Sequence, residues 1–258
     1  LDNPLFEQLG KKIYLTEAGE EVQHYSRAIA QQLDDMGTAL DNLKGLEHGK
    51  LRISVATTAN YFAPHLLATF TKRLPGVNVI LDVTNRKTLL RQLTENDVDM
   101  VIMGVPPAEM DLEADAFMEN PLVMIAPSNH PLVGQKNIPL SHFSKESFVV
   151  RETGSGTRDA IKRFFDQHGV VFNMGIEMTS NEAIKQAVEA GLGLGIVSIH
   201  TLELELETTR LALLDVEDVP IQRYWYILQR KGKRLSPVAK AFKDFVLTEA
   251  SKFIRPAG

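Results

Sequence analysis

The apolar positions of this chain change rhythm twice. From Thr16 to about Glu47 no proline intervenes, and Val22, Ile29, Met36 and Leu43 recur every seven residues, flanked by Tyr25, Leu33, Leu40 and Leu46. That spacing predicts one long helix with a single apolar stripe. At 1.5 Å per residue it would run about 48 Å. Thr16 is the expected N-cap, and Glu17, Glu20 and Glu21 sit favourably at the positive end of its dipole. A stripe of this kind needs a partner in water. It either folds back on its own domain or pairs with a second copy, and the self-contained pattern that follows favours pairing. Before the helix, two short strand-like pieces around Gly10, Lys11 and Lys12 predict a hairpin with a basic tip.

Beyond Leu51 the rhythm becomes short apolar strands alternating with helical stretches. Strands are predicted over 51–56, 77–83 and 100–103, with helices over 61–73 and 88–95 between them. The strand 122–126 follows. A second round then places strands at 148–151, 176–179, 195–198 and 224–229, with helices over 157–168, 181–190 and 237–247. Repeated βαβ units imply parallel-type sheets with ligand sites at the C-terminal ends of the strands. Two α/β halves, residues 51–119 with 229–255 and residues 120–228, joined by two crossovers, predict a hinged, two-lobed binding fold whose cleft takes the ligand.

Composition narrows the function. The 258 residues are 44% hydrophobic and 24% charged, as in ordinary globular proteins. No apolar run approaches the roughly 20 residues of a membrane span, and residues 1–12 lack the apolar core of an export signal. With no cysteine, disulfides and thiolate chemistry are excluded, and a cytoplasmic setting is expected. The net charge is −5, of which residues 1–50 carry −4 from five Lys/Arg and nine Asp/Glu. That surface alone is not the basic face a DNA-binding protein presents.

One turn stands out chemically. Arg151-Glu152-Thr153-Gly154-Ser155-Gly156-Thr157-Arg158 lies between a predicted strand and a helix, where successive amides and the helix dipole form an anion cradle. Ser155 and Thr157 add hydroxyls; Arg151 and Arg158 add charge. No Gly-Lys-Ser/Thr follows, so nucleotide hydrolysis has no support. The first lobe offers Thr57, Thr58 and Asn60 after its first strand, Asn85 and Arg86 after its second, and Gly104 after its third. Ser180 is the cap of the next helix in the second lobe, and Asn181 the contact beside it. Gly191, Gly193 and Gly195 follow a helix and precede a strand, the reverse of a dinucleotide-binding turn. The seven histidines show no metal-ligand spacing, and no catalytic constellation can be assembled. No cofactor, metal or enzymatic activity is expected.

Leu5-Phe6-Glu7-Gln8, the Gly10–Tyr14 turn and Leu15-Thr16-Glu17-Ala18-Gly19-Glu20 resemble the end of a LysR-type DNA-binding region, a winged-helix remnant (1–15) followed by a linker and dimerisation helix (16–48). Tyr61-Phe62-Ala63-Pro64, Ile102-Met103-Gly104, Arg151–Arg158, the segment Ser180–Val188 and Arg234-Leu235-Ser236-Pro237 are similar to the CbbR-type branch, which controls RubisCO-operon genes. The resemblance covers essentially the whole chain. It implies a homodimer, a tetramer at full length, with Lys11 and Lys12 at a wing that touches DNA. The family's helix-turn-helix would precede Leu1, so this sequence by itself would bind DNA weakly or not at all. The implied effector is a small anion, a phosphorylated metabolite or NADPH, bridging the two lobes. Val105 stands where the branch often carries a basic residue, which removes one charge from that site. The alternative is a solute-binding protein of a transporter, which shares the two-lobed fold but gives no reason for the helical stripe.

Overall fold

The computed structural model describes residues 3–42 and 48–253. An antiparallel hairpin opens the chain, β1 (Phe6–Leu9) and β2 (Lys12–Leu15), with Lys11 and Lys12 exposed at its tip. The helix α1 (Glu17–Asn42) follows, 26 residues and therefore about 39 Å long. Thr16 caps it, its Oγ1 accepting from the Gly19 amide at 3.0 Å. Only glycine fits at position 19, because a Cβ there would stand 2.0 Å from the Leu5 carbonyl oxygen. Hairpin and helix are thereby locked together. Along the stripe Val22 is half-buried, while Tyr25, Ile29, Leu33, Met36 and Leu40 are each more than half exposed. Leu43, expected in the same seam, lies outside the described residues.

The first lobe is built from β3 (Gly49–Ala56), a 3-10 turn over Thr57–Tyr61, α2 (Ala63–Arg73), β4 (Val77–Thr84), α3 (Arg86–Thr94), β5 (Met100–Met103) and β6 (Leu112–Glu119). The second lobe comprises β7 (Leu122–Pro127), β8 (Phe148–Arg151), α4 (Gly156–Gln167), β9 (Met174–Met178), α5 (Asn181–Glu189), β10 (Leu194–Ser198), α6 (Glu203–Glu207) and β11 (Leu211–Leu213). The chain then returns to the first lobe as β12 (Tyr224–Arg230) and α7 (Pro237–Glu249). The sheet orders are β4-β3-β5-β12-β6 and β11-β7-β10-β8-β9. In each, the βαβ strands are parallel and the crossover strands join antiparallel. The expected division at 228/229 is corrected here: it cuts through β12, all of which pairs with β5 or β6. The return crossover lies just before Tyr224.

Both faces of each sheet are covered, which explains why the central strands read as unbroken apolar runs rather than alternating ones. In β5, Met100 and Ile102 pack with α2 and α7, whereas Val101 and Met103 pack with α3. In β8, Phe148 and Val150 face α4, and Val149 faces α5. Among the described residues no helix is long and apolar enough to cross a membrane.

The two crossovers lie side by side. The Asn120 amide donates to the Arg223 carbonyl at 2.7 Å, and Leu122 and Ile221 exchange both backbone bonds at 3.0 and 2.9 Å. His200 Nε2 lies 2.9 Å from the Glu119 carbonyl oxygen at the same place. Burial lowers the pKa of this imidazole, and the Arg223 charge acts in the same direction against the Glu119 bond.

Two outcomes test this packing. Phe242 is 1% exposed and meets the Phe70 ring edge-on at 5.1 Å; Phe242→Ala should lose about 3–5 kcal/mol in urea unfolding. A value under about 1 kcal/mol would show that α7 is not part of the cooperative core. The depressed pKa of His200 means that folding favours the neutral ring. Its contribution is complete above the unfolded value near 6.5 and is lost as pH falls through that value and below. Unfolding free energy should therefore fall more steeply between about pH 8 and pH 5 in the wild type than in His200→Gln. Equal slopes would remove the assignment.

Candidate functional site

The cleft between the lobes is a space of about 180 Å³ where the C-terminal ends of the parallel strands meet the crossover. This follows from topology: β3, β5 and β8 all point their last residues at the same gap. From the first lobe come Thr57, Thr58, Asn85, Arg86 and Gly104; from the second come Arg151, Ser155, Gly156 and Thr157. Gly154, at φ +86°, makes the turn that brings Ser155 to the start of α4. Ser155 caps α4, its Oγ accepting from the Thr157 amide at 3.3 Å. Asn85 caps α3, its Oδ1 accepting from Thr88 at 3.0 Å. Two helix N-termini, one from each lobe, therefore open on the cleft.

Four arginines line the space, Arg86, Arg151, Arg163 and Arg223, against two carboxylates, Glu152 and Asp159. Their situations differ. Arg151 is already satisfied: Nε and Nη2 donate to the two Glu152 oxygens at 2.7 and 2.8 Å, Nη1 to Asn181 Oδ1 at 3.2 Å, and Nη2 across the cleft to Thr57 Oγ1 at 3.4 Å. Arg86 donates to the Val105 carbonyl at 2.7 Å. Val105 itself puts no charge here, as the sequence indicates.

Arg223 is the residue that sequence reasoning missed. Its Nε donates to the Asn120 carbonyl at 3.1 Å and its Nη1 to Thr157 Oγ1 at 3.3 Å. It has no carboxylate partner among the described residues. Burial, and then the charge of Arg151, push its pKa down to about 10, so it remains a cation at neutral pH. Beside it, Asn120 Nδ2 and Trp225 Nε1 are buried donors with no partner. Unmade hydrogen bonds of this sort are expensive. Together these groups form a donor-rich wall with a deficit of negative charge.

Several candidate positions fall elsewhere. Arg158 does not reach the cleft; it donates to the Arg151 carbonyl at 3.0 Å and pairs with Glu177 at the second lobe's outer edge. The helical repeat explains this, because Gly156, Asp159 and Arg163 share the cleft face of α4 and Arg158 lies off it. Asn181 is buried behind the cleft, where it positions Arg151. Asn60 is exposed at the outer part of the 3-10 turn and does not line the space. Gly154 shapes the cradle without lining it. Among the described residues no cluster of His, Asp or Glu could hold a metal ion.

A second set of contacts joins the two lobes outside the cleft lining. The Tyr61 hydroxyl donates to Glu182, and Lys185 Nζ lies 5.0 Å from the Tyr61 ring centre. Lys185 is itself 3% exposed, held between Glu182 and Glu205 at 2.8 Å each. The segment Ser180–Val188, which carries much of the resemblance noted above, thus joins the two lobes.

Residues 44–251 match the LysR substrate binding domain family. The RuBisCO operon transcriptional regulator of Allochromatium vinosum is 57% identical over 248 residues, covering 96% of this chain and 82% of that protein. The HTH-type transcriptional activator CmpR of Synechocystis sp. is 45% identical over 243 residues, covering 94% and 80%. Among solved structures, the regulatory domain of Synechocystis PCC6803 CcmR in complex with 2-PG is 42% identical with a TM-score of 0.75, covering 78% of this chain and 96% of that domain. At this identity and coverage the chain belongs to the LysR-type transcriptional regulators, within the branch of RuBisCO operon regulators.

Proposed function

We propose that this chain is the effector-sensing and oligomerisation part of a DNA-binding transcription regulator of carbon-fixation genes, and that its signal is a small phosphorylated anion held between the lobes. The observation that carries the reading is Arg223, a buried cation beside two orphaned donors, in a cleft with four arginines and two carboxylates. An entering dianion would supply the missing negative charge and accept from Arg223 and Thr157 on one side and Thr57, Thr58 and Arg86 on the other. Gly104 leaves room at the end of β5. Because both lobes contribute, such a ligand favours one lobe arrangement over others, which is the condition for a signal. The 2-PG bound by the CcmR domain is of this class. The regulator relatives also argue against the transporter solute-binding alternative.

The remaining roles rest on the stripe of α1, the exposed hairpin tip and the regulator relatives. Val22, Ile29 and Met36 form the seam of a homodimer that assembles further to a tetramer at full length. Lys11 and Lys12 touch the DNA backbone from the hairpin tip. The setting is the cytoplasm.

Two measurements test the reading. In calorimetric titration with 2-phosphoglycolate, Thr157→Val and Arg86→Ala should each weaken binding about ten- to a hundred-fold, the span of a lost charge-assisted hydrogen bond. Arg158→Ala should change it less than about three-fold. Equal affinities in all four proteins would remove the cleft as the sensor. In sedimentation velocity at micromolar concentration, Ile29→Lys with Met36→Lys should lower the associated mass. An unchanged profile would mean that α1 is covered by its own chain.

A further inference from the structure

A larger cavity, about 850 Å³, lies at the opposite end of the first lobe, where α1 passes over the sheet. It meets β3 near its start, at Lys50 and Arg52, whereas the cleft meets β3 at its end. Eight residues of extended strand put roughly 26 Å between the two spaces. Gln32 and Met36 of α1 form one wall, and the turn from Arg230 to Pro237 forms the other.

The charge of this cavity is one-sided. Six cations line it, with Asp99 as the one carboxylate among the lining residues. Some of the cations are committed. Lys233 Nζ donates to Asn96 Oδ1 at 2.9 Å and to the Val98 carbonyl at 2.6 Å, and Lys231 pairs with Asp111 at 3.0 Å. These bonds pin the turn. Lys50, Arg230 and Arg234 have no side-chain hydrogen bond or ion pair among the described residues. A lone exposed arginine means little, since most are simply solvated. Three unpaired cations around one concave space, Arg230 and Arg234 on a turn fixed by its neighbours and Lys50 on β3, form an anion receptor. Met36, Leu235 and Pro237 add apolar surface. Volume, apolar wall and charge together suit a molecule larger than the cleft admits.

We infer that this cavity is a second ligand site, separate from the cleft, for a small molecule carrying two or more phosphate-type charges. A ligand there touches both α1 and the first lobe. It therefore acts on the angle between the helix and the lobe rather than on the closure of the lobes.

The probe is inorganic pyrophosphate, titrated calorimetrically into the full chain at fixed ionic strength. The cleft variant Arg86→Ala with Thr157→Val should still bind one equivalent with affinity within two-fold of the wild-type event. Arg230→Ala with Arg234→Ala, both exposed and outside the core, should weaken that event at least ten-fold, and Arg230→Lys with Arg234→Lys should restore part of it. Loss in the cleft variant alone, equal affinity in every protein, or no saturable binding would overturn the site. So would an altered sedimentation coefficient in the Arg230/Arg234 double alanine variant with unchanged pyrophosphate affinity, which would make this surface a contact between copies of the chain.

Discussion

The structure turns on a positive charge buried where the chain crosses between lobes. Taking a guanidinium out of water is costly unless it is paired and hydrogen-bonded. Arg223 has two neutral oxygens, from Asn120 and Thr157, and another cation for a neighbour. That arrangement persists because it is set in the crossover, between two five-stranded lobes whose apolar clusters form without it. The lobes can carry an unfavourable group at their junction since their own cores are complete. A charge left wanting at a hinge is a preference for an anion at that hinge. It lies where occupancy and lobe arrangement are hardest to separate.

The contacts across the cleft sort by strength. Arg151 to Thr57 is long at 3.4 Å, and Arg151 is already bonded to Glu152 and Asn181, so it adds little. The Tyr61–Glu182–Lys185 contact is different. Lys185 is nearly inaccessible and shared between two carboxylates, which fixes Glu182 as an acceptor for the opposing lobe. Burial, followed by that hydrogen bond, raises the Tyr61 pKa, so its hydroxyl stays a donor across the ordinary pH range. The stronger of the two links between the lobes is therefore the Tyr61–Glu182–Lys185 clasp.

How much of this was legible in the sequence depends on how local the cause is. The run Met100–Met103 announces a strand buried on both faces, and it is one. Thr16 announces a cap, and Ser180 does so in the same way, each accepting from an amide three residues on. β6, in contrast, is Leu112-Glu-Ala-Asp-Ala-Phe-Met-Glu, an acidic edge strand that forms only because β12, more than a hundred residues later, lies beside it. The cleft followed the same rule. Residues just after strands line the space because sheet topology places them there, while Arg158 lies off it through the 100° step between helical neighbours. Arg223 was missed because nothing near it in sequence distinguishes it. Its meaning comes from Asn120, 103 positions away.

Magnitudes also limit how a cleft ligand can act on the long helix. α3 has Asn85 and Arg86 of its first turn in the cleft and Glu95 at its far end, where Glu95 meets Arg27 of α1 at 3.6 Å. A nine-residue helix is a direct mechanical link between the two. Yet the terminal ion pair is partly exposed, and such pairs contribute about 0–1 kcal/mol. Turning a two-state equilibrium from 1:99 to 99:1 takes about 5.5 kcal/mol. The ion pair can therefore register the position of α3 but cannot drive α1 by itself. The force has to come from α3 as a packed body, through Leu89 and Leu93 against Val101 and Leu228, which cannot move without moving the sheet under α1. In an assembly joined through α1, several copies would add their share. That is a physical reason for a sensor of this size to work as an oligomer rather than alone.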